Sequence, residues 1–515
     1  LYSDAVSLDM VGSPGSYTNA LTVASADNVG YTGRYLTVQE RAIFYTETIS
    51  RNKPLETLAG QPLEYVLVEG VGDDWTGIDL TGKVAVCARG TINFSEKANK
   101  AAEAGAVAVL IYNNVPGALS MDLSEYWYEP PCVSLTQSDG QWMRDQGELH
   151  TETIEEDNWG EIVTREIQYY TGELTVAQNV STVIYDEPYT MSDFSSWGVP
   201  GTLEMKPEIT APGGNIYSVN GLIAGGTSYE NMSGTSMATP QVAGMVALVA
   251  QYIRESGLAQ KTGLTPRVLA QSLLMSTAVP QLEDWGEEGD GYYPVLRQGA
   301  GLANVGAAVS ADSYILMGED ATKSYADGKI KAELGDDPEK TGRYEFSFSI
   351  FNLTESEQTY ALSGDLFTQD LFTDEGISYM NTWTTGLHAE VTFSTGDTVT
   401  VPAGSSVDVK VTAVLTQEQK TALNQNYPNG AYIEGYVFVK GVTTDDGAVG
   451  TTHSIPVLGF YGNWSDASMF DVGSRMEYLT GEETRAPYLG DMKGNAAVVA
   501  YGAVSYTHLR AHETG

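Results

Sequence analysis

The amino-acid sequence predicts a multidomain protein in which one α/β domain is interrupted by a second α/β domain and followed by an all-β sandwich. Three observations predict this order. Strand-like runs alternate with helical runs over residues 54–170, a similar pattern frames that segment over 1–53 and 171–310, and segments from 312 onward alternate apolar with polar residues. At roughly 100–200 residues per domain, 515 residues suffice for about three domains.

The first α/β domain is predicted to consist of residues 1–53 and 171–310. The run ALTVAS (20–25) is typical of a strand, and SGTSMATPQVAGMVALVAQYIRES predicts a loop followed by a long helix. Its apolar residues recur at helical spacing: Val242, Met245, Val246, Val249 and Ile253. Because this run carries no charge before Arg254, we expect the helix to be buried in the domain's centre. A second helix is predicted to begin at Thr265-Pro266.

Residues 54–170 predict an inserted domain around a parallel βαβ unit. Val84 to Ala88 is a short apolar run, FSEKANKAAEAGA is rich in helix-forming residues, and VAVLIYNN is a second apolar run. A strand, a helix and a strand in this order favour parallel pairing. PPCVSL predicts a further strand, and the acidic residues 151–170 are interpreted as the linker that leaves the insert.

Residues 312–466 predict a β-sandwich. Apolar and polar residues alternate through several short segments, as in Tyr344, Phe346, Phe348 and Ile350. Residues 467–503 are too few for a domain and are interpreted as the start of another one. Residues 504–515 (VSYTHLRAHETG) resemble translated adaptor sequence and are interpreted as a non-native tail.

Composition excludes several classes of protein. The chain has 27 Lys and Arg against 67 Asp and Glu, a net charge of −40, so we expect no nucleic-acid partner. Hydrophobic residues make up 42%, which is enough for packed cores, and no apolar run is long enough to predict a membrane span. The two cysteines, Cys87 and Cys132, both fall in predicted strands, and a disulfide and two buried thiols stay open.

The string GTSMATPQVAG places a serine where a bent loop meets an apolar helix. Gly234 allows a sharp bend, and Ser236 then lies at the helix N-terminus, where free N–H groups and the helix dipole favour a developing oxyanion. Pro240 is expected in the first helical turn, where its missing N–H does little harm. The alternative for the motif taken alone is a serine that only caps a buried helix.

This eleven-residue string resembles the nucleophile motif of the subtilisin-like serine proteases, the subtilases. VGSPGSYTNALTVASADN, MSDFSSWG, KPEITAPGGNIYS and QGAGLANVGAAV resemble other segments of that catalytic domain. The insert resembles a protease-associated domain, and the β-domain resembles the fibronectin type III-like module of cell-envelope proteinases (lactocepins and complement-cleaving peptidases). This domain order is more specific than any single motif.

The resemblance implies a serine endopeptidase that acts on proteins or peptides and requires no cofactor. Ser236 would form the acyl-enzyme, its backbone N–H would help bind the oxyanion, and Thr235 would support that site. Gly12 resembles the glycine that floors the primary specificity pocket, with a simple turn glycine as the alternative. The resemblance also implies an extracellular protein, secreted or attached to the cell wall.

The partners of the serine are missing from the sequence. Subtilases carry Asp, His and Ser in chain order, but the chain has no H-G-T-x-V-A-G or D-[ST]-G string. The sole histidine before Ser236 is His150, which is interpreted as a solvated loop residue of the insert. The oxyanion Asn would also precede Leu1. The sequence therefore predicts an N-terminally truncated fragment that is inactive as given.

No metal site is predicted, and a structural Ca²⁺ is left open. The acidic run EDWGEEGDG (283–291) offers oxygen ligands but lacks the spacing of a calcium loop, which favours a solvated charge cluster. A hypothesis from another class is a non-catalytic surface-binding or adhesion fragment that uses the inserted and β-sandwich domains. An upstream sequence with the missing motifs would distinguish the enzyme from the binder.

Overall fold

The computed structural model describes residues 2–3, 11–48, 51–115, 119, 121–158, 161–184, 189–219, 229–283, 291–374, 377–427, 430–442 and 450–464. The chain forms two compact units. The first unit comprises Leu1–Asn28, Pro188–Gly214 and Ser233–Gly515, and the second comprises Val29–Glu187 and Asn215–Met232. The predicted tail (504–515) and the predicted further domain (467–503) lie outside the described residues.

The strands, in chain order, are β1 (Tyr2–Ser3), β2 (Val23–Asp27), β3 (Gly30–Val38), β4 (Arg41–Phe44), β5 (Thr46–Glu47), β6 (Pro62–Leu67), β7 (Val84–Ala88), β8 (Ala108–Tyr112), β9 (Cys132–Leu135), β10 (Glu148–Asn158), β11 (Glu161–Ile184), β12 (Ile209–Gly214), β13 (Ile216–Val219), β14 (Tyr229–Met232), β15 (Leu282–Glu283), β16 (Gly291–Tyr292), β17 (Ser313–Met317), β18 (Ala332–Asp337), β19 (Arg343–Asn352), β20 (Gln358–Asp374), β21 (Ile377–Gly386), β22 (Glu390–Phe393), β23 (Thr398–Val401), β24 (Ser406–Val414), β25 (Ala431–Gly441) and β26 (His453–Tyr461). The helices are α1 (Phe94–Glu103), α2 (Gln137–Gln146), α3 (Thr235–Ser256), α4 (Leu258–Thr262), α5 (Pro266–Ser276), α6 (Val295–Gln298), α7 (Val305–Ser310) and α8 (Gln417–Asn426).

The second unit is built on one mixed sheet. Its strands follow the order β4-β3-β11-β6-β7-β8-β9-β5, and β10 pairs with β11. The predicted βαβ unit is present, because β7 and β8 are parallel with Val84 opposite Ala108, and α1 connects them. Apolar residues on both faces of these strands are buried, with Leu110 in one core and Val109 in another. The strands therefore carry continuous apolar runs, as parallel strands covered on both faces do.

The interpretation of residues 151–170 as a linker is wrong. They lie in the antiparallel hairpin of β10 and β11, which pairs Glu148 with Thr171 and Asn158 with Glu161. Strand β11 continues to Ile184 and also pairs with β3 and β6. The compact second unit consequently extends beyond the predicted insert of residues 54–170 on both sides.

The cysteines of the second unit are free thiols. Cys87 and Cys132 are both buried, and they lie on β7 and β9 with β8 between them. Burial raises the pKa of the Cys87 thiol to about 12, so it stays protonated at neutral pH. Of the two alternatives that the sequence left open, the structure contains the pair of buried thiols.

The α/β part of the first unit contains the parallel pair β2 and β12, against which α3 packs. The expectation that α3 is buried in the centre of its domain is wrong for the part of the chain that the structure describes. One face is buried, including Val242, Val249 and Ile253, but Leu248 on another face is 54% exposed. A helix with few charged residues can be buried on one face or on all faces, so the scarcity of charge in α3 did not show which applies. The second predicted helix is present as α5, with the Thr265 side chain accepting a bond from the Val268 N–H.

The strands from Ser313 to Tyr461 form a β-sandwich, as predicted. Strands β17-β19-β24-β22 form one sheet, and β21-β20-β25-β26-β18 form the other, with β1 joined to β21 and β23 to β20. The alternating residues on β19, from Tyr344 to Ile350, are buried as expected. They share a core with residues of the second sheet such as Val437 and Ile455.

Candidate active site

Ser236 lies at the N-terminal end of α3 and is exposed to solvent. It is the second residue of the helix, after Thr235, and Gly234 precedes the helix. The Gly234 N–H donates to the carbonyl of Gly213 at 2.8 Å. The loop that carries the serine is thereby tied to the C-terminal end of β12.

Gly213 permits a close approach between β12, β2 and the serine loop. A Cβ atom at this position would lie 2.4 Å from the Ser25 Oγ and 2.6 Å from the Gly234 carbonyl oxygen. Both distances are shorter than a carbon atom tolerates, and the second neighbour is backbone. The C-terminal end of β12 therefore needs glycine at position 213 for packing.

The helix terminus offers free donors beside the Ser236 hydroxyl. The N–H groups of Met237 and Ala238 donate to the Gly234 carbonyl at 2.9 and 3.4 Å. The N–H groups of Thr235 and Ser236 precede any intrahelical acceptor, because the first turn of a helix has none for them. Together with the positive end of the helix dipole, they can stabilise an anion that forms at the serine.

Pro240 lies later in the helix than the sequence predicts. It is the sixth residue of α3, which begins at Thr235, and so it stands beyond the first turn of about 3.6 residues. A residue at this position normally donates its N–H to the carbonyl four residues earlier, which here belongs to Ser236. Proline has no such hydrogen, so α3 provides no backbone donor for the Ser236 carbonyl.

A chain of buried and half-buried polar groups holds the C-terminal end of β2. The Ser192 Oγ donates to the Asp27 carboxylate at 2.5 Å and lies 2.9 Å from the Ser25 Oγ. The Ser195 Oγ accepts the Ser25 N–H at 3.0 Å. Sequence reasoning noted the string MSDFSSWG but did not assign these serines a task. The sequence signal for Ser192 and Ser195 was a pair of small polar residues, three positions apart, in a string that resembles a segment of the subtilase catalytic domain.

Two of the three described histidines, His150 and His453, bond to groups other than Ser236. His150 lies in β10 and is half-buried, with its Nε2 2.8 Å from the Thr171 Oγ1. The interpretation of His150 as a solvated loop residue is therefore wrong. His453 lies between the hydroxyls of Ser313 and Ser276, and burial lowers its pKa to about 4.

Gly12 lies in an exposed turn in which its carbonyl accepts the Ser16 N–H at 2.9 Å. A Cβ atom there would meet nothing within 4 Å. The turn alternative fits this geometry, and a role in a substrate pocket stays a prediction.

No metal cluster or membrane helix is found in the part of the chain that the structure describes. Within those ranges, no group of three or more His, Cys, Asp or Glu residues could hold a metal ion, and no helix is long and apolar enough to cross a membrane. The acidic run 283–291 lies largely outside the described residues, since positions 284–290 are not among them.

Comparisons with known proteins agree with this geometry. The family model "Subtilase family" matches residues 3–310, and the model "Fn3-like domain" matches residues 333–458. The "PII-type proteinase" of Lacticaseibacillus paracasei is 28% identical, over 95% of this chain and 25% of its own length.

Two further relatives come from other bacteria. The "Minor extracellular protease Vpr" of Bacillus subtilis (strain 168) is 28% identical over 86% of this chain and 49% of its own length. The "C5a peptidase" of Streptococcus pyogenes serotype M3 is 26% identical over 90% of this chain and 35% of its own length. The chain thus spans a quarter to a half of the length of these relatives, and its resemblance to cell-envelope proteinases is confirmed. Because the first family model matches more than half of the sequence, the chain belongs to the subtilase family.

Proposed function

We propose that this chain is part of a serine endopeptidase that hydrolyses peptide bonds of extracellular proteins through an acyl-enzyme on Ser236. The observation that carries the proposal is the position of Ser236, exposed at the N-terminus of α3 on a loop tied to β12. Family membership supports the reaction class, and the position of the hydroxyl suits a nucleophile.

Each site residue has a proposed role in that reaction. The Ser236 Oγ attacks the scissile carbonyl, and the free N–H of Ser236 binds the resulting oxyanion. Thr235 is the neighbouring helix residue and supports the oxyanion site. Gly12 lines the primary specificity pocket, where an open space beside its Cα leaves room for a substrate side chain.

The chain as given is proposed to be inactive, with the catalytic Asp, His and oxyanion Asn supplied by sequence that precedes Leu1. The hydrogen bonds of His150 and His453 to other groups support this. A serine hydroxyl without a base is a weak nucleophile, so losing the base removes most of the rate acceleration.

The other parts of the chain have proposed roles as well. The inserted domain, predicted at residues 54–170, is proposed to be a protease-associated domain, and the protein is proposed to work outside the cell or on the cell wall. The names of the relatives, among them the "Minor extracellular protease Vpr", support that location. No cofactor is required, and a structural Ca²⁺ stays open.

A fluorogenic peptide assay tests the proposal. The 515-residue chain should show no turnover, whereas the same chain extended by its upstream coding sequence should cleave the peptide. Ser236→Ala should abolish that cleavage, and Ser233→Ala, an exposed serine three residues earlier, should retain it. Turnover by the unextended chain, or equal loss in both variants, would contradict the assignment.

A binding or adhesion fragment is the second candidate. The second unit exposes Trp127, which is 58% accessible and carries the Arg51 guanidinium 4.5 Å above its ring. Exposed aromatic and arginine side chains are common anchors of protein interfaces. An extended chain that never cleaves peptides would favour this candidate.

A further inference from the structure

The first unit contains a cluster of buried charges that the proposed reaction does not use. Its members are three lysines and three glutamates, all at most 9% exposed: Glu204, Lys206, Glu208, Lys329, Lys331 and Glu333. Their formal charges cancel. Charged groups are rarely taken out of water without a compensating arrangement, because their desolvation has to be offset by well-formed ion pairs and hydrogen bonds. We call these six residues the ionic cluster.

Glu208 is the centre of the ionic cluster. Its Oε1 accepts from the ammonium groups of Lys206 at 2.5 Å, Lys329 at 2.8 Å and Lys331 at 3.5 Å. Lys331 also lies 3.1 Å from the Glu204 carboxylate and 2.9 Å from that of Glu333. Burial alone lowers the pKa of Lys331, but these carboxylates raise it above the ordinary value, so the ammonium group stays charged.

Two of the lysines bind the carboxylates and also donate hydrogen bonds to the loop that follows Gly12. Lys206 Nζ donates to the carbonyls of Tyr17 and Ala20, both at 2.9 Å. Lys329 Nζ donates to the carbonyls of Thr18 at 2.5 Å and Ala20 at 2.7 Å. We call residues 12–22 the carbonyl loop, since its backbone oxygens converge on these two ammonium groups.

Two of the glutamates accept hydrogen bonds from donor groups of the same loop. The Thr22 N–H donates to the Glu208 Oε2 at 2.6 Å, and the Thr18 hydroxyl donates to the Glu204 Oε2 at 2.7 Å. Directly after Thr22 the chain enters β2, which pairs with β12. The ionic cluster thus fixes the carbonyl loop against the strand pair that supports the serine loop.

Lys329 comes from a part of the chain that lies outside the subtilase match. That match ends at residue 310, and the Fn3-like match begins at residue 333. The connecting segment carries Lys329 and Lys331 and then enters β18, the edge strand of the larger sandwich sheet. A side chain from the entrance of the Fn3-like domain therefore completes the hydrogen bonding of a loop in the protease part.

We propose that Lys329 is a positioning residue for substrate binding, because its ammonium group holds the carbonyl loop in place from the entrance of the Fn3-like domain. The assignment of that loop to the substrate rests on the proposed function, through Gly12. The segment that leads into the Fn3-like domain then contributes to the support of the specificity site. The substrate class affected is a peptide whose side chain enters the primary pocket.

Amide hydrogen exchange of the 515-residue chain tests the positioning role without requiring activity. In the unsubstituted chain the N–H groups of Tyr17, Ala20 and Thr22 are hydrogen-bonded and should exchange slowly. In Lys329→Ala they should exchange at least about tenfold faster. Lys329→Met keeps the side-chain volume without the donors and repeats the test if Lys329→Ala does not fold.

Two matched variants separate positioning from general loss of stability. Lys331→Ala removes another charge from the ionic cluster, but Lys331 donates to the Met205 carbonyl and to no carbonyl of the loop. Lys97→Ala removes a buried lysine of the second unit that donates to the carbonyls of Val71 and Ala88. Both should leave exchange in the carbonyl loop within about twofold of the unsubstituted chain. Equal acceleration in Lys329→Ala and Lys331→Ala would overturn the proposal.

Chemical rescue provides a readout that a general stabilising role would not move. Ethylammonium and propylammonium ions can enter the space left by Lys329→Ala and supply N–H donors, so they should slow exchange again. Tetramethylammonium has the same charge but no N–H group, and it should not. Equal rescue by all three ions would show a charge effect alone and would overturn the proposed hydrogen-bonding role.

Kinetics of the upstream-extended protein connect the loop to the substrate. Lys329→Ala should raise KM for peptides at least about fivefold while kcat and the rate at which a small fluorophosphonate labels Ser236 change less than about twofold. Unchanged KM together with accelerated exchange would overturn the link to substrate binding. Failure of the unsubstituted protein to label at Ser236 would instead contradict the proposed function, and the exchange experiment would still decide the positioning role.

Discussion

Lys329 Nζ and Glu208 Oε1 lie 2.8 Å apart, and both side chains are completely buried. Glu208 precedes β12 in the part of the chain that matches the subtilase family, and Lys329 lies beyond that part. Two segments separated by 121 residues therefore share an ion pair that water does not reach. This pair links the strand below the serine loop to the entrance of the Fn3-like domain.

Glu208→Gln should destabilise the first unit by about 3–5 kcal/mol. The substitution removes the negative charge that faces three ammonium groups and leaves an excess positive charge in a dry site. Urea denaturation of the 515-residue chain measures the loss. Glu345→Gln, which breaks surface pairs with Arg343 and Lys410, is the control and should change the midpoint little. Similar effects of both substitutions would contradict the role given to the buried pair.

Gly213→Ala should lower the free energy of unfolding by about 1–3 kcal/mol, because the new methyl group collides with Ser25 and the Gly234 backbone. The same collision should slow the labelling of Ser236. The Gly244→Ala variant is the matched control. Gly244 lies in α3, and a Cβ atom there would meet nothing within 4 Å, so alanine should raise stability by about 0.5–1 kcal/mol. Thermal unfolding of both variants measures the difference, and a neutral Gly213→Ala would show that the approach is not tight.

Gly12→Ala should leave the melting temperature unchanged, because the added methyl group meets no neighbour within 4 Å. If Gly12 lines the substrate pocket, the upstream-extended protein should lose kcat/KM for peptides with a large side chain before the scissile bond and retain it for peptides with a small one. A panel of such peptides measures the ratio. Equal rates across the panel would leave Gly12 as a turn residue only.

The stability of the first unit should fall as pH rises from about 4.5 to about 7. Over this range Glu434 ionises in the unfolded chain, whereas the folded chain keeps its proton. Burial raises the pKa of this carboxyl to about 7 in the folded chain, against 4.5 without burial. The folded state thus holds the proton more tightly, and this contribution is complete below pH 4.5 and lost as pH passes the folded pKa. The loss amounts to about 3 kcal/mol at about 1.4 kcal/mol per pKa unit.

Glu434→Gln removes that pH dependence. The free energies of unfolding of the unsubstituted chain and of Glu434→Gln are compared at pH 5 and at pH 8. The difference between the two proteins should be larger at pH 8. His453 acts in the opposite direction, since its pKa is lowered by burial and its protonation opposes folding as pH falls below 6.5. Because both proteins contain His453, the comparison cancels its effect. An identical pH profile for both proteins would show that Glu434 does not titrate in this range.

Periodic apolar segments were predictable from the sequence, and the places of charged groups were not. Continuous apolar runs located β7 and β8, and alternation located β19, because burial on two faces or one face leaves a direct pattern in the chain. The same reasoning missed the β10–β11 hairpin, whose many acidic residues resemble a linker although the backbone pairs along its whole length.

The sequence predicted the position of Ser236 in the candidate site, but it did not predict the buried charged groups of the ionic cluster. The string around Ser236 located the start of α3, since a glycine bend, a serine and an apolar run mark a helix start. The six-residue ionic cluster was not predicted, because its lysines look solvent-exposed in sequence. Lys206 and Lys331 each pair with a glutamate two residues later, but the pairs that join the two segments are more than a hundred residues apart. A contact between two such segments that are far apart in sequence leaves no pattern in either one.

Fluorophosphonate labelling followed by peptide mapping tests the central claim most directly. In the protein extended upstream of Leu1, the account predicts a single phosphonylated peptide that contains Ser236, and no such adduct in Ser236→Ala. The unextended 515-residue chain should label far more slowly, because its serine lacks a base. An extended protein that cleaves peptides but is modified at another residue, or that is not modified at all, would contradict the account.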